Sequence, residues 1–141
     1  MNYEEALQEF GLPASPNQRN DIRRLLIEET ERERRGEGQP EILRTLCVQL
    51  FSIGEVEDAL FVWSAKRSSF DMGCGLDIQF LCGAGLEATK AFLAVSSAPE
   101  ANSALRYLIK CEQSGDFEDW SPQKTVAFHR AYYHLDGQAQ P

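Results

Sequence analysis

The stretch Pro40-Glu-Ile-Leu-Arg-Thr-Leu-Cys-Val-Gln-Leu-Phe-Ser-Ile-Gly54 decides the fold class. Pro40 brings a φ already suited to a first helical position, and Gly54 suits the left-handed residue just past a helix end. Between them Ile42, Leu43, Leu46, Cys47, Leu50 and Phe51 recur at the three- and four-residue steps that line one helix face.

Similar punctuation extends in both directions. Upstream, Tyr3, Ala6, Leu7 and Phe10 mark a short helix, Gly11 suits its C′ position, and Leu12 is placed to pack back on Leu7. Ser15-Pro-Asn-Gln18 has capping-box spacing and opens a helix that carries Ile22, Leu25 and Leu26 and runs to Arg35 before Gly36. Its second half, 28–35, has no apolar residue and is expected to project into solvent, laced by Glu28–Arg32 and Glu31–Arg35 pairs. Residues 36–40 form a linker. Downstream, Val56, Ala59, Leu60 and Trp63 give a further stripe, followed by a loop at 67–75. Leu76, Phe80 and Leu81 continue the pattern to Gly83-Ala-Gly85, and Leu86, Thr89, Phe92 and Leu93 resume it. Pro99 precedes a helix with Leu105, Leu108 and Ile109. Ser121-Pro122 opens a last one with Phe128, Ala131, Tyr132 and Leu135 as its apolar face. No stretch alternates as a strand does.

The expected fold is therefore all-α: one domain, 1–141, of seven to eight helices stacked as antiparallel hairpins in a short irregular solenoid. Its parts are an N-terminal helical pair (1–36), helical hairpins (40–120), a C-terminal helix (121–135) and a flexible tail (136–141).

The hairpins carry an internal echo. At an offset of 30, Leu46-Cys-Val-Gln-Leu-Phe51 falls on Leu76-Asp-Ile-Gln-Phe-Leu81, Val56-Glu57 on Leu86-Glu87, and Val62-Trp63 on Phe92-Leu93. A fainter copy sets Ser114-Gly-Asp-Phe-Glu-Asp119 on Ile53-Gly-Glu-Val-Glu-Asp58. A short hairpin cannot cover its own apolar face, so copies stack and share a core. Leu76-x3-Phe80-Leu-x3-Gly85-Leu-Glu-x2-Lys90-x-Phe92-Leu93 resembles the helix–turn–helix core of an ankyrin repeat. Gly54-Glu-Val-Glu-Asp-Ala59-Leu60 resembles the turn of a tetratricopeptide repeat. The ankyrin Thr-Pro-Leu-His signature is replaced by Gly75-Leu-Asp-Ile, and a period of 30 is short for tetratricopeptides. Residues 70–93 also resemble small bacterial proteins. The resemblance, over about 40–120, implies a protein-binding scaffold without chemistry of its own.

Charge narrows the partners. Lys plus Arg number 14 against 22 Asp plus Glu, a net charge of −8. That leaves no excess of cations to displace counterions from nucleic acid or from an anionic membrane. Every third of the chain is acidic: ten acids to seven bases in 1–46, six to three in 47–97, six to four in 98–141. With no apolar run of membrane-spanning length and no signal-peptide pattern at Met1-Asn-Tyr-Glu-Glu, a cytoplasmic protein is expected. Four cysteines without CxxC spacing read as free thiols.

Catalytic patterns are thin. His129 and His134 stand five apart, about 140° around a helix, which is wrong for a shared metal. Gly73-Cys-Gly75 and Gly83-Ala-Gly85 lack the rest of a phosphate loop. No cofactor or metal is expected. Cys74 between two glycines, or the pair Asp71 and Asp77, would serve an enzyme; a tight turn explains them more simply.

The residues expected to meet a partner are Glu55, Glu57 and Asp58, then Phe70 and Asp71, then Asp116, Glu118, Asp119 and Trp120. They combine carboxylates with apolar anchors, the make-up of a surface that docks on a basic protein. By analogy, an immunity protein or antitoxin covers a toxin's basic active-site cleft in this way. Trp120 has a second reading as a staple for the last helix. An adaptor or a homo-oligomeric scaffold subunit is the alternative.

Overall fold

The computed structural model describes residues 1–136; the expected tail lies outside the described residues except for Asp136. Eight α-helices form among them: α1 (Tyr3–Phe10), α2 (Arg19–Arg34), α3 (Pro40–Ile53), α4 (Ala59–Lys66), α5 (Phe70–Gly75), α6 (Leu86–Val95), α7 (Ala101–Gln113) and α8 (Pro122–Tyr132). Three short 3-10 turns precede α2 (Pro16–Gln18), precede α4 (Val56–Asp58) and follow α5 (Ile78–Leu81). No strand occurs among the described residues, and the fold is all-α.

α3 is the hub. Ile42, Leu43 and every residue from Thr45 to Phe51 are buried, so this helix is covered almost all round. α1 and α2 lie against it, α8 returns to it from the far end of the chain, and α4 packs on α2. α6 and α7 pair beside α4. Gln49, fully buried, donates its amide to the carbonyls of Ala6 (2.9 Å) and Gly11 (3.0 Å), and so fixes how α1 sits on α3. One apolar cluster runs from Ala6 through the hub to Leu108.

Several boundaries differ from the sequence expectation for local reasons. The capping box lies at the chain start: Glu5 N–H donates to Asn2 Oδ1 and Asn2 N–H to Glu5 Oε1, both at 2.8 Å. At Ser15 no such box forms; Pro16–Gln18 is a 3-10 turn and α2 begins at Arg19. Gly11 has positive φ (77°) but an extended ψ, so the α1 exit is not left-handed helical. The end of α2 keeps Glu28, Arg32, Arg34 and Arg35 exposed as expected, but it is anchored to its neighbours and does not project freely. Thr30 is buried, Arg34 donates to Ser64, and Ser69 Oγ donates to Glu33 Oε2 at 2.7 Å. Its ion pairs follow i, i+3 spacing, Arg32 with Glu29 (3.6 Å) and Arg34 with Glu31 (2.9 Å).

Residues 70–75, expected as loop, are helical. Ser69 caps this turn by accepting from Met72 N–H (3.1 Å), and Lys66 Nζ closes its other end by donating to Gly73 O and Leu76 O, both at 2.6 Å. Conversely Leu76–Leu81, set against α3 by the offset of 30, is not a full helix; Ile78–Leu81 is a 3-10 turn. Gly83 then crosses α3 so closely that a Cβ there would lie 2.4 Å from Phe51 O.

Candidate functional site

The acidic residues singled out in the sequence separate into two groups with different roles. Glu55, Glu57 and Asp58 surround Arg19, which stands where α2 begins. Arg19 Nε donates to Asp58 Oδ2 (2.8 Å) and Nη2 to Oδ1 (3.0 Å); Glu55 and Glu57 stand at 3.8 and 3.6 Å. Arg23 Nε adds a contact to Asp58 at 3.4 Å while its guanidinium lies over the Phe61 ring. The hydrogen bond from Arg19 to Asp58 outweighs partial burial and raises the already high guanidinium pKa. Asp58 is 3% exposed. It therefore holds α2 to α4 and is not open to a partner, which corrects the expectation from sequence. Glu55 and Glu57 keep exposed carboxylates.

Phe70 and Asp71 lie in the first turn of α5, both exposed, Phe70 at 83%. Asp77, paired with Asp71 in the enzyme reading, does not share that turn. It lines a different surface together with the third group.

That surface is a shallow cleft of about 310 Å³ built on the α7–α8 connection. α7 ends at Gln113, and Gly115 (φ 94°) and Asp119 (φ 53°) bend the chain into α8, whose cap is Ser121, accepting from Lys124 N–H at 3.2 Å. The turn is pinned from outside by Gln79, whose amide donates to Asp116 O. Asp77, Asp116, Glu118 and Asp119 thus converge on one opening with Lys124 as the cation in its lining. Lys124 Nζ donates to Asp119 Oδ1 and Asp119 O, each at 2.9 Å, and this contact holds the Asp119 carboxyl below its usual range.

Trp120 forms the wall. Its indole N–H donates to Thr125 Oγ1 (2.7 Å), and its ring meets Phe117 edge-on (5.0 Å) and tilts against Phe51 (6.4 Å). With the N–H satisfied and the ring half-buried, Trp120 is the staple of α8. Cys111 lies behind the turn, its thiol pushed up by burial first and then by the Asp116 carboxylate.

The face of α8 turned outward is the main departure from expectation. Phe128, Ala131 and Tyr132, expected to be buried, are exposed, Phe128 at 66% and Tyr132 at 65%. The inward face is made by Thr125, Val126, His129 and Tyr133. His129 packs edge-on against Phe80 (5.1 Å) with Nδ1 2.9 Å from Thr125 O, and Tyr133 OH shares a 2.8 Å hydrogen bond with Thr45 Oγ1. Polar atoms that satisfy one another hold the helix down, leaving the apolar stripe free. Phe128 borders the acidic cleft, while Tyr132 borders a larger groove of about 840 Å³ between α1, α3 and the end of α8, lined also by Tyr3, Leu7, Arg44 and Tyr133. Sequence reasoning named Asp77 only as an enzyme's partner to Asp71, and missed both its place in this cleft and this face. The sign for the latter was present: apolar residues stand at Val126 and at Tyr133 just past the helix as well as at Phe128 and Tyr132, so the pattern offers two candidate inward faces and does not choose between them.

Cys74 is exposed on α5. Among the described residues no group of three or more His, Cys, Asp or Glu side chains could hold a metal ion, and no helix is long and apolar enough to cross a membrane. Compared with protein-family models, with curated proteins and with solved structures, the chain matches none.

Proposed function

We propose that the chain is a non-enzymatic protein-binding module whose partner presents a basic surface. The reading rests on one observation: four carboxylates, Asp77, Asp116, Glu118 and Asp119, converge on a cleft whose lining contains one lysine. Carboxylates brought together without matching cations repel one another, and a partner's Lys or Arg relieves that repulsion. The exposed Phe128 at the rim supplies apolar contact beside the charge, the pairing of anchor and rim that characterises binding surfaces. Net charge of −8 adds long-range steering toward a cationic partner. Neutralisation of a toxin by covering its basic active-site cleft is the specific role that this chemistry suits, in the manner of an immunity protein or antitoxin.

The test is affinity capture from extract of the source cells on the immobilised chain, eluted with rising salt. A basic protein is expected to bind, to be released by salt, and to be missed by the variant Asp116→Lys/Glu118→Lys/Asp119→Asn. Asn is used at 119 because it tolerates positive φ better than Lys. Equal capture by wild type and variant removes the reading. An oligomeric scaffold subunit is the second reading, favoured by the uncovered face of α8; light scattering that shows a monomer at high concentration removes it.

A further inference from the structure

From the exposed stripe of α8 we infer that the partner contributes a basic amphipathic helix, laid along α8 with its cationic end over the acidic cleft. The inference rests on the protein-binding reading and adds the shape of what binds. Lys124, Ala127, Phe128, Ala131 and Tyr132 are all exposed and recur at steps of three, one, three and one, the rows of a single helix face. Small residues at 127 and 131 alternate with aromatic ones at 128 and 132. The i, i+4 row of 128 and 132 makes one aromatic ridge and the row of 127 and 131 one shallow groove beside it, the relief that another helix fills by packing ridges into grooves. The backbone N–H and C=O groups of α8 bond within the helix, so the face offers no edge to which a strand could add.

Charge selects the kind of helix. At its N-terminal end the stripe runs into Asp77, Asp116, Glu118 and Asp119, and the one lysine there already serves Asp119. A second copy of this chain would bring the same carboxylates and another −8 of net charge. Area points the same way. Eleven residues of helix are about 16 Å long and about 11 Å across, a face of roughly 180 Å², which falls well short of the ~800 Å² per partner that a stable dimer covers. A partner helix that also reaches the cleft at one end, and the Tyr132 side of the large groove at the other, uses the whole surface.

A peptide library tests the inference without the partner in hand. The whole chain is used as bait for phage-displayed random peptides of about 16 residues, four helical turns. Ala131→Arg, which fills the groove at an exposed position, serves as the counter-bait, with circular dichroism to confirm unchanged helix content. Enriched peptides are expected to carry apolar residues at i, i+3 or i+4, and i+7 with Lys or Arg gathered at one end. They should lose about tenfold or more in Kd on Ala131→Arg. Enrichment of acidic or proline-rich extended peptides, or equal binding to both baits, overturns the helix inference. So does a dimer in sedimentation that Ala131→Arg dissociates. Should the library yield nothing while cell extract still yields a basic protein sensitive to charge reversal at the cleft, the helix is excluded and the protein-binding reading stands. Failure of both experiments removes both.

Discussion

Arg19 grips the buried carboxylate of Asp58 with two guanidinium nitrogens, across 39 residues of sequence. This bidentate pair joins the start of α2 to the start of α4, and Arg23 reinforces it. Removing Asp58 leaves two guanidinium groups facing an emptied site. Asp58→Ala is expected to destabilise by about 2–3 kcal/mol, just below the roughly 3–5 kcal/mol typical of broken buried pairs because Arg19 keeps some solvent contact. Glu57→Ala, on the exposed rim of the same cluster, should cost about 0.5 kcal/mol or less. Urea titration of the two variants checks the contrast; equal losses would mean the cluster acts as a diffuse surface patch.

Lys66 ties α4 to the end of α5. Its amine is buried, and desolvation lowers its pKa against the opposing pull of Asp77, Cys111 and Cys74. Lys66→Met keeps the stem but orphans the Gly73 and Leu76 carbonyls, and is expected to cost about 1–3 kcal/mol. Hydrogen exchange should show faster opening at residues 70–76 than elsewhere.

Stability should decline in alkali. Burial pushes the Cys82 thiol from 9.0 up to about 12 and the Cys47 thiol further still. A thiol with a raised folded pKa contributes stability that is complete below its unfolded pKa and is lost as pH climbs toward the folded value. Burial raises the Tyr133 hydroxyl in the same sense. Lys66 works oppositely, since an amine with a lowered pKa gains stability as pH rises toward 10.5. Burial raises the Cys111 thiol and the Tyr107 hydroxyl as well, so three thiols and two phenols stand against one amine. Unfolding free energy is expected to fall between about pH 9 and about pH 11, and Cys47→Ala/Cys82→Ala should flatten that slope.

Two glycines are required for different reasons. Gly83 needs its missing side chain, because a Cβ would press on Phe51 O of α3. Gly36, with φ of 75° and open space around it, needs only its backbone freedom. Gly83→Ala is expected to cost about 2–3 kcal/mol through displaced backbone, and Gly36→Ala about 1 kcal/mol. Thermal unfolding of both separates crowding from strain.

Legibility in the sequence followed the range of the forces involved. Helix ends set by local chemistry, such as Pro40 to Gly54 and Ser121-Pro122, stand where their residues place them. α5 was illegible because Gly73 and Gly75 argue for a loop, and the lysine that overrides them sits outside the segment. Asp58 reads as an ordinary acid at a helix start; its burial depends on Arg19, far off in sequence. At the cleft, Asp116, Glu118 and Asp119 were visible as a cluster, whereas Asp77 joins them only through the path of α7. The outward turn of α8 escaped for a similar reason. Thr125 and His129 look like solvent-facing residues until Trp120 and Phe80 are seen to receive them.

The return of α8 to the hub also has a temporal side. Tyr133 meets Thr45 and packs near Tyr3, and Arg130 donates to Leu12 O, so residues translated later close over residues translated more than eighty positions earlier. Until translation passes Tyr133 the flank of α3 that bears Thr45 lacks its cover. A nascent chain stalled before Pro122 would display that flank to chaperones, and ribosome-arrested chains of graded length should show protease resistance arriving late and in a single step.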